Sequence, residues 1–355
     1  MVRTAWIRNG WLVALAAAFA VNAAACKKSD DKKTDQPATA DKPTAGDTKP
    51  GDKPATPTAA PASANGDDLS LLPANSEVVM GLNIAQLEQS ALWKQFAPKF
   101  MDKISGGLGD FKAACGFDPL EAIKSVSVGM KGIGSPTPDG AIVVHGLDKA
   151  KLMGCVDKAK AAANKKGSDL TIDGDVIIVK DSKGQNVAFT FVNDSTALAV
   201  TGPDASKDLL LKTAKGDSGL KTAATFVDLY SKINTSDSLW MLMNGNSPVF
   251  KQMGAMGVKP KAIFGSINVT DGLSLSMRMR VDSPDAAASF VGMMKPQLGN
   301  PQVKQMFDKM DVTTDGPDIK FEVALSGPKL QSLIGMMGGM MGGMMGGATG
   351  GAGGP

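Results

Sequence analysis

Two related α+β halves, each a mostly antiparallel sheet with helices on one face, are the fold class that this 355-residue sequence predicts. Three observations lead there. Strand-like runs follow one another across connections of hairpin length, which favours antiparallel neighbours. Helical periodicity falls between those runs, the mixture that collects helices on one side of an antiparallel sheet. The order strand, helix, two strands, helix, two or more strands, helix then occurs a second time.

In the first half, Glu77–Asn83 reads as a strand and Ile84–Met101 as an amphipathic helix with Leu87, Trp93, Phe96 and Phe100 broadly on one side. After Gly106-Gly107 and a short helical segment near Phe111 come paired strands, Ile123–Met130 and Ala141–Leu147, then a helix over Asp148–Lys165. Three further strands, Leu170–Lys180, Asn186–Asn193 and Ala197–Thr201, lead to a helix over Ala205–Lys215.

The second half repeats this grammar. Ser238–Asn244 is a strand and Val249–Met256 a short helix. Ala262–Thr270 and Leu273–Val281 form a hairpin whose Asp271-Gly272 has the composition of a type I′ turn. A helix over Asp285–Leu298 is opened by Ser283 as cap and Pro284 at its first position. Val312–Thr314 pairs with Lys320–Leu325, and a last helix lies near Lys329–Ile334. Asn75–Asn83 can be laid on Ser236–Asn244 without a gap, which sets Met80 on Met241 and Asn83 on Asn244.

Ahead of the folded region lie a basic leader with Arg3 and Arg8, an apolar run from Trp11 to Val21, and Ala23-Ala24-Ala25 as a small-residue cleavage site. The run is too short for a mature spanning helix, so the chain is expected to be exported. Ala23-Ala24-Ala25-Cys26 resembles the lipobox of bacterial lipoproteins, with Ala23 standing where most such boxes carry Leu. That resemblance implies acylation of Cys26; cleavage by the ordinary signal peptidase, leaving a free thiol, is the competing outcome. Several buried acyl chains, at about 0.8 kcal/mol per methylene, anchor stably where one does not. By resemblance to lipoprotein sorting, Lys27 in place of an Asp after the Cys implies the outer membrane.

Residues 27–68 contain no Val, Ile, Leu, Met, Phe, Trp or Tyr and cannot bury enough apolar area to offset ordering, so they read as a disordered tether. As a flexible coil it averages roughly 35 Å end to end. The chain divides into a signal peptide (1–25), lipidated Cys26 with its tether (26–68), two α+β halves (69–216 and 217–334) and a tail (335–355).

Loss of Arg3 and Arg8 with the leader takes the 38 basic residues to 36, against 35 acidic ones. So even a balance, with no basic cluster in the folded region, argues against nucleic acid as partner. Of the three cysteines, acylation of Cys26 leaves Cys115 and Cys155, an even remainder that suggests one disulfide in an oxidising compartment. Two buried, unbridged thiols are the alternative.

Titrating groups that could run a reaction are scarce. The single histidine, His145, lies in a short apolar strand where alternation puts it on the face of Ala141 and Val143. A general base wants an orienting carboxylate and a nearby nucleophile, and the local sequence supplies neither. A structural role is expected for it. There is no Gly-x-Ser-x-Gly elbow and no phosphate loop, and the glycines of Gly129-Met130-Lys131-Gly132-Ile133-Gly134 are in the wrong order for a dinucleotide fingerprint. Two distant cysteines and one histidine do not make a zinc site, and Asp173-Gly174-Asp175 reads as a turn between strands rather than a calcium loop. No catalytic constellation and no cofactor are implied.

The tail repeats Met-Met-Gly-Gly, with pairs at Met336/Met337, Met340/Met341 and Met344/Met345. Disorder is the expected state, since each Gly in a helix costs about 1 kcal/mol relative to Ala. Two alternatives stay open: a soft thioether site for Cu(I), or a segment that docks or self-associates through its small residues.

Three stretches, Leu72-Pro73-Ala74-Asn75-Ser76, Leu92-Trp93-Lys94-Gln95-Phe96 and Cys115-Gly116-Phe117-Asp118-Pro119-Leu120, resemble a group of uncharacterised bacterial lipoproteins whose domains open on a Leu-Pro-Ala strand. The resemblance covers the first half best and implies no known activity. The function expected is that of a membrane-anchored envelope lipoprotein with a non-catalytic binding or structural role, its partner an envelope protein, cell-wall material or a small ligand. Trp93, Trp240, Phe96 and Tyr230 are the aromatics best able to line a groove, although core packing is the commoner use of each. Soft-metal handling by the tail and a hydrolase using His145 are the alternatives.

Overall fold

The structure is a computed structural model and describes residues 68–332 apart from 95–111, 113–114, 134–136, 166–168, 181–184, 246–249 and 251–258. Its strands are β1 Val78–Asn83, β2 Ser125–Lys131, β3 Asp139–His145, β4 Asp169–Asp173, β5 Val176–Lys180, β6 Asn186–Phe191 and β7 Thr196–Gly202 in the first half. In the second half they are β8 Leu239–Asn244, β9 Ala262–Val269, β10 Leu273–Arg280, β11 Lys309–Asp315 and β12 Asp318–Leu325. The helices are α1 Asp68–Leu71, α2 Ile84–Leu87, α3 Pro119–Ala122, α4 Lys149–Lys165, α5 Lys207–Ala214, α6 Ala224–Tyr230, α7 Pro284–Leu298 and α8 Pro301–Met306, with a 3₁₀ turn at Leu220–Thr222.

All twelve strands belong to one antiparallel sheet in the order β11-β12-β10-β9-β8-β1-β2-β3-β7-β6-β5-β4. This overturns the α+β expectation of two sheets, each with helices on one face. The joint is β1 against β8, where Val78 faces Met243, Met80 faces Met241 and Leu82 faces Leu239. Met80 and Met241 are the residues that the sequence repeat superposes, so the local two-fold of the repeat passes between them. Neither opening strand then presents unpaired backbone groups at a sheet edge.

The chain path recurs on either side of that joint. From β3 the chain crosses through α4 to the far edge, then runs back through β4, β5 and β6 until β7 docks on β3; from β10 it crosses through α7 and α8 to edge strand β11, and β12 docks on β10. The crossover helices are needed because the strand that pairs with β3 or β10 is the last of its group rather than the next.

Register divides the side chains between two faces, and helices lie on both. One face carries Val126, Val128, Ile142, Val144, Phe189 and Phe191, packed with Leu152, Cys155 and Val156 of α4. Farther along the same face Met279, Val312 and Ile319 pack with Ala287 and Val291 of α7. The opposite face carries Val79, Ala141, Val143, Leu198, Val200, Trp240, Leu242 and Phe264 under Leu69, Leu210, Leu220, Phe226 and Leu229. Every residue of β7 is buried. Such two-sided burial is what an unbroken run like Ala197-Leu198-Ala199-Val200 specifies, in place of polar alternation.

Gly81 shows how close the halves come. It faces Trp240 across the joint, and a β-carbon there would lie 2.1 Å from the indole Nε1. Trp240 in turn meets the edge of Tyr230, which stacks on Phe226. These aromatics of α6 and β8 build the core between the halves rather than line a groove.

Beyond β9 that second face turns polar, and a buried carboxylate fastens α6 to it. Asp318 accepts from Arg280 Nε at 2.6 Å and Nη2 at 2.9 Å and from Lys232 Nζ at 3.2 Å, while Arg280 Nη1 reaches Asp228 of α6 at 2.7 Å. Burial pushes the Asp318 carboxyl up, but Arg280 and Lys232 together outweigh it and hold the group below its ordinary range. Next to it Lys309 and Lys320 bring Glu322 down to about 2.

Local expectations meet mixed outcomes. Ser283 Oγ accepts from Ala286 N and Pro284 opens α7 as expected, and Ser206 likewise caps α5. The expected helix over Ile84–Met101 instead stops at Leu87, and Ser90 Oγ accepts from Trp93 N at the start of a second helical stretch. Leu170–Lys180 is two strands, turned at Gly174 with φ +63°. The β9–β10 connection has three residues, Thr270-Asp271-Gly272, and Gly272 has no positive φ, so it is not a type I′ turn. The helices expected near Phe111 and over Val249–Met256 fall largely outside the described residues.

Candidate functional site

Where β3 begins and β7 ends, on the face beneath α5, the sheet borders a cleft of about 470 Å³. Its near wall is the segment Leu72-Pro73-Ala74-Asn75, the Leu-Pro-Ala element read from sequence. That segment is stitched in place: Leu220 N donates to the Leu72 carbonyl at 2.9 Å, Pro73 bridges Gly219, and Ser76 Oγ donates to the Pro73 carbonyl at 2.7 Å. Gly219 is required there, since a β-carbon would lie 2.1 Å from the Ser70 carbonyl oxygen. Leu72, Pro73, Val200, Ala205 and Leu209 give the cleft an apolar body. Lys131, Asp139, Asp204, Lys212 and Thr213 give it a rim of both charges, on which Lys131 and Asp139 pair at 3.3 Å. Such a site suits a small ligand or short chain segment with an apolar body and polar ends.

On the same face, at the opposite end of β3, lies the histidine. His145 stands on the face of Ala141 and Val143, as alternation requires, and both ring nitrogens have partners: Nδ1 lies 3.1 Å from Thr196 Oγ1 and Nε2 2.8 Å from Asp68 Oδ1. Ser127 Oγ donates to the other Asp68 oxygen at 2.7 Å. The orienting carboxylate that the local sequence lacks therefore arrives from 77 residues away. Sequence reasoning placed Asp68 in the tether; an acid just ahead of Leu69-Ser70-Leu71-Leu72 is a helix-start signal that could have found it.

Thr196, His145 and Asp68 have the connectivity of a nucleophile, a base and its orienter, but both Thr196 and Asp68 are buried, and neither they nor His145 line the cleft. What the cluster does is fasten the entry helix α1 to the sheet. Buried polar groups paired in this way cost little, whereas any one left alone costs about 1–3 kcal/mol.

Cys115 and Cys155 are joined by a disulfide that ties the segment before α3 to α4. Cys26 and the six tail methionines, Met336, Met337, Met340, Met341, Met344 and Met345, lie outside the described residues, as does Phe96. Trp240 is 2 % exposed and Trp93 half-buried. Among the described residues no three His, Cys, Asp or Glu side chains come together as a metal site. No family model, no curated protein and no solved structure matches the chain.

Proposed function

We propose that this chain is a membrane-anchored lipoprotein of the cell envelope, held by Cys26, whose folded domain has a non-catalytic binding or structural role. The observation that carries the reading is the cysteine pairing. Cys115 and Cys155 are used by the domain itself, leaving Cys26, after its small-residue cleavage site and before a tether without large apolar residues, as the remaining cysteine of three. Among the described residues no helix is long and apolar enough to cross a membrane. A lipid on Cys26 supplies the attachment, and the roughly 35 Å average span of the tether lets the domain stand clear of the headgroups.

Lys27 in the position after the cysteine favours the outer membrane. The non-catalytic reading is supported by the burial of Thr196 and Asp68, the two partners of His145, and by the absence of all three from the cleft lining. The cleft walled by Leu72–Asn75 is the surface offered to a small ligand, cell-wall material or a segment of an envelope protein.

Metabolic labelling with a fatty acid tests the anchor. Label is expected on the native chain and not on Cys26→Ala, with the variant recovered in the soluble fraction. An unlabelled native chain, free in solution, overturns the reading.

A further inference from the structure

The first face of the sheet is apolar across all twelve strands, yet its covering by the described residues is uneven. α4 packs at one end and α7 at the other. Between them Met241, Met243, Ile267, Leu275, Met277 and Val323 share that face through the register of β8, β9, β10 and β12. They are half-buried, and none belongs to the apolar clusters under the described helices.

The last described turn of the chain sits beside this patch. Helical residues 327–332 carry Leu330, which packs with Leu325, Leu273, Val269, Leu92 and Phe307. Leu325, Leu273 and Val269 form one row across β12, β10 and β9, and the next row on the same face is Val323, Leu275 and Ile267. Two residues along a strand are about 7 Å. The described chain thus ends beside the rim of the patch, two residues past Leu330.

We propose that the Met/Gly tail, residues 335–347, lies across this patch as an intramolecular cover. Reach is ample, because residues 333–347 extend to about 50 Å, and the patch measures roughly 14 Å along the strands and as much across them. Charge agrees as well. The patch side chains are all uncharged, and from Leu333 to Pro355 the chain has no Asp, Glu, Lys or Arg. Two other stretches outside the described residues do carry charge: Lys99, Asp102, Lys103 and Asp110 in 95–111, and Lys251 in 251–258.

The composition suits the task. Glycine pairs let a main chain approach the sheet closely, and thioether side chains are flexible enough to fill the irregular surface between Met241, Met243 and Met277. The inference stands whether or not Cys26 is acylated.

Mild peroxide oxidation, read as sulfoxide at Met241 and Met277 by peptide mass spectrometry at low conversion, tests it. Three chains are compared: the full chain, one ending at Ile334, and the full-length chain with all six tail methionines replaced by Ser. Since oxidation follows exposure, both altered chains are expected to oxidise at Met241 and Met277 faster by on the order of threefold. The serine variant keeps the length and serves if the truncated chain folds poorly. Equal rates in all three chains assign the face to another occupant and overturn the proposal. So does protection that vanishes on dilution of the full chain, which would place the tail on a second copy.

Discussion

Gly81→Ala separates the single sheet from two independent ones by the sign of its effect. On a strand with open space above it, replacing Gly by Ala stabilises by about 0.5–1 kcal/mol, because the unfolded chain loses freedom. In this structure the added carbon would lie 2.1 Å from Trp240 Nε1, 2.3 Å from Cε2 and 2.7 Å from Cζ2. No real contact is that short, so the indole must move by more than an ångström. Trp240 is 2 % exposed and has the Tyr230 ring edge-on at 5.1 Å, which leaves it nowhere to go without displacing α6. Overpacking of this kind costs about 1–3 kcal/mol. The net expectation is a destabilisation of about 2 kcal/mol, read as a lower urea midpoint at unchanged slope. In a Trp240→Leu background the same substitution is expected to cost less than about 0.5 kcal/mol, giving a coupling above about 1 kcal/mol. A neutral or stabilising Gly81→Ala would refute the β1–β8 joint, since only that pairing sets Gly81 under Trp240.

Asp318→Asn removes the charge that Arg280 and Lys232 share in a fully buried position; a loss of about 3 kcal/mol is expected in urea unfolding, the cost of leaving buried charge uncompensated. Acid should act through the same network. Asp318 and Glu322 have folded-state values below their unfolded ones, so their stabilisation is complete above the ordinary carboxylate range near pH 4 and is lost as pH falls below it. A urea midpoint that stayed level from pH 5 to pH 2.5 would contradict this. Reduction of the Cys115–Cys155 bridge, which closes a loop of 40 residues, is expected to lower stability by about 4 kcal/mol in the chain-entropy model, measured as the thermal midpoint with and without reductant. Asp68→Ala leaves Ser127 and His145 without their acceptor and should cost about 1–3 kcal/mol, with faster proteolysis just ahead of Leu72 as α1 loosens.

Much of the strand inventory was legible from residue pattern. Runs such as Ala141-Ile142-Val143-Val144 and Ala197-Leu198-Ala199-Val200 announce buried strands, and Ser283-Pro284 announces the start of α7, because each signal is written within a few adjacent residues. The helix of Ala224–Tyr230 was missed, its signal being a short apolar spacing of Phe226, Leu229 and Tyr230 after a 3₁₀ turn. The continuous helix over Ile84–Met101 failed for the opposite reason: the apolar spacing persists across Ser90, while the Ser90 hydroxyl caps a new start.

By itself the sequence determined what depends on neighbours in the chain: the exported leader and its cysteine as expectations, the tether without a core, the existence of most strands, and the repeat that sets Met80 on Met241. Tertiary structure alone decided which strands meet. Nothing local in Val78–Asn83 or Leu239–Asn244 says that they pair with each other, because an edge strand and a central strand of the same composition differ only in what lies beyond their hydrogen bonds. The same holds for Asp68 and His145. Complementary charge and hydrogen-bonding groups carry no address in sequence, and they find one another only when the sheet brings distant segments to one face.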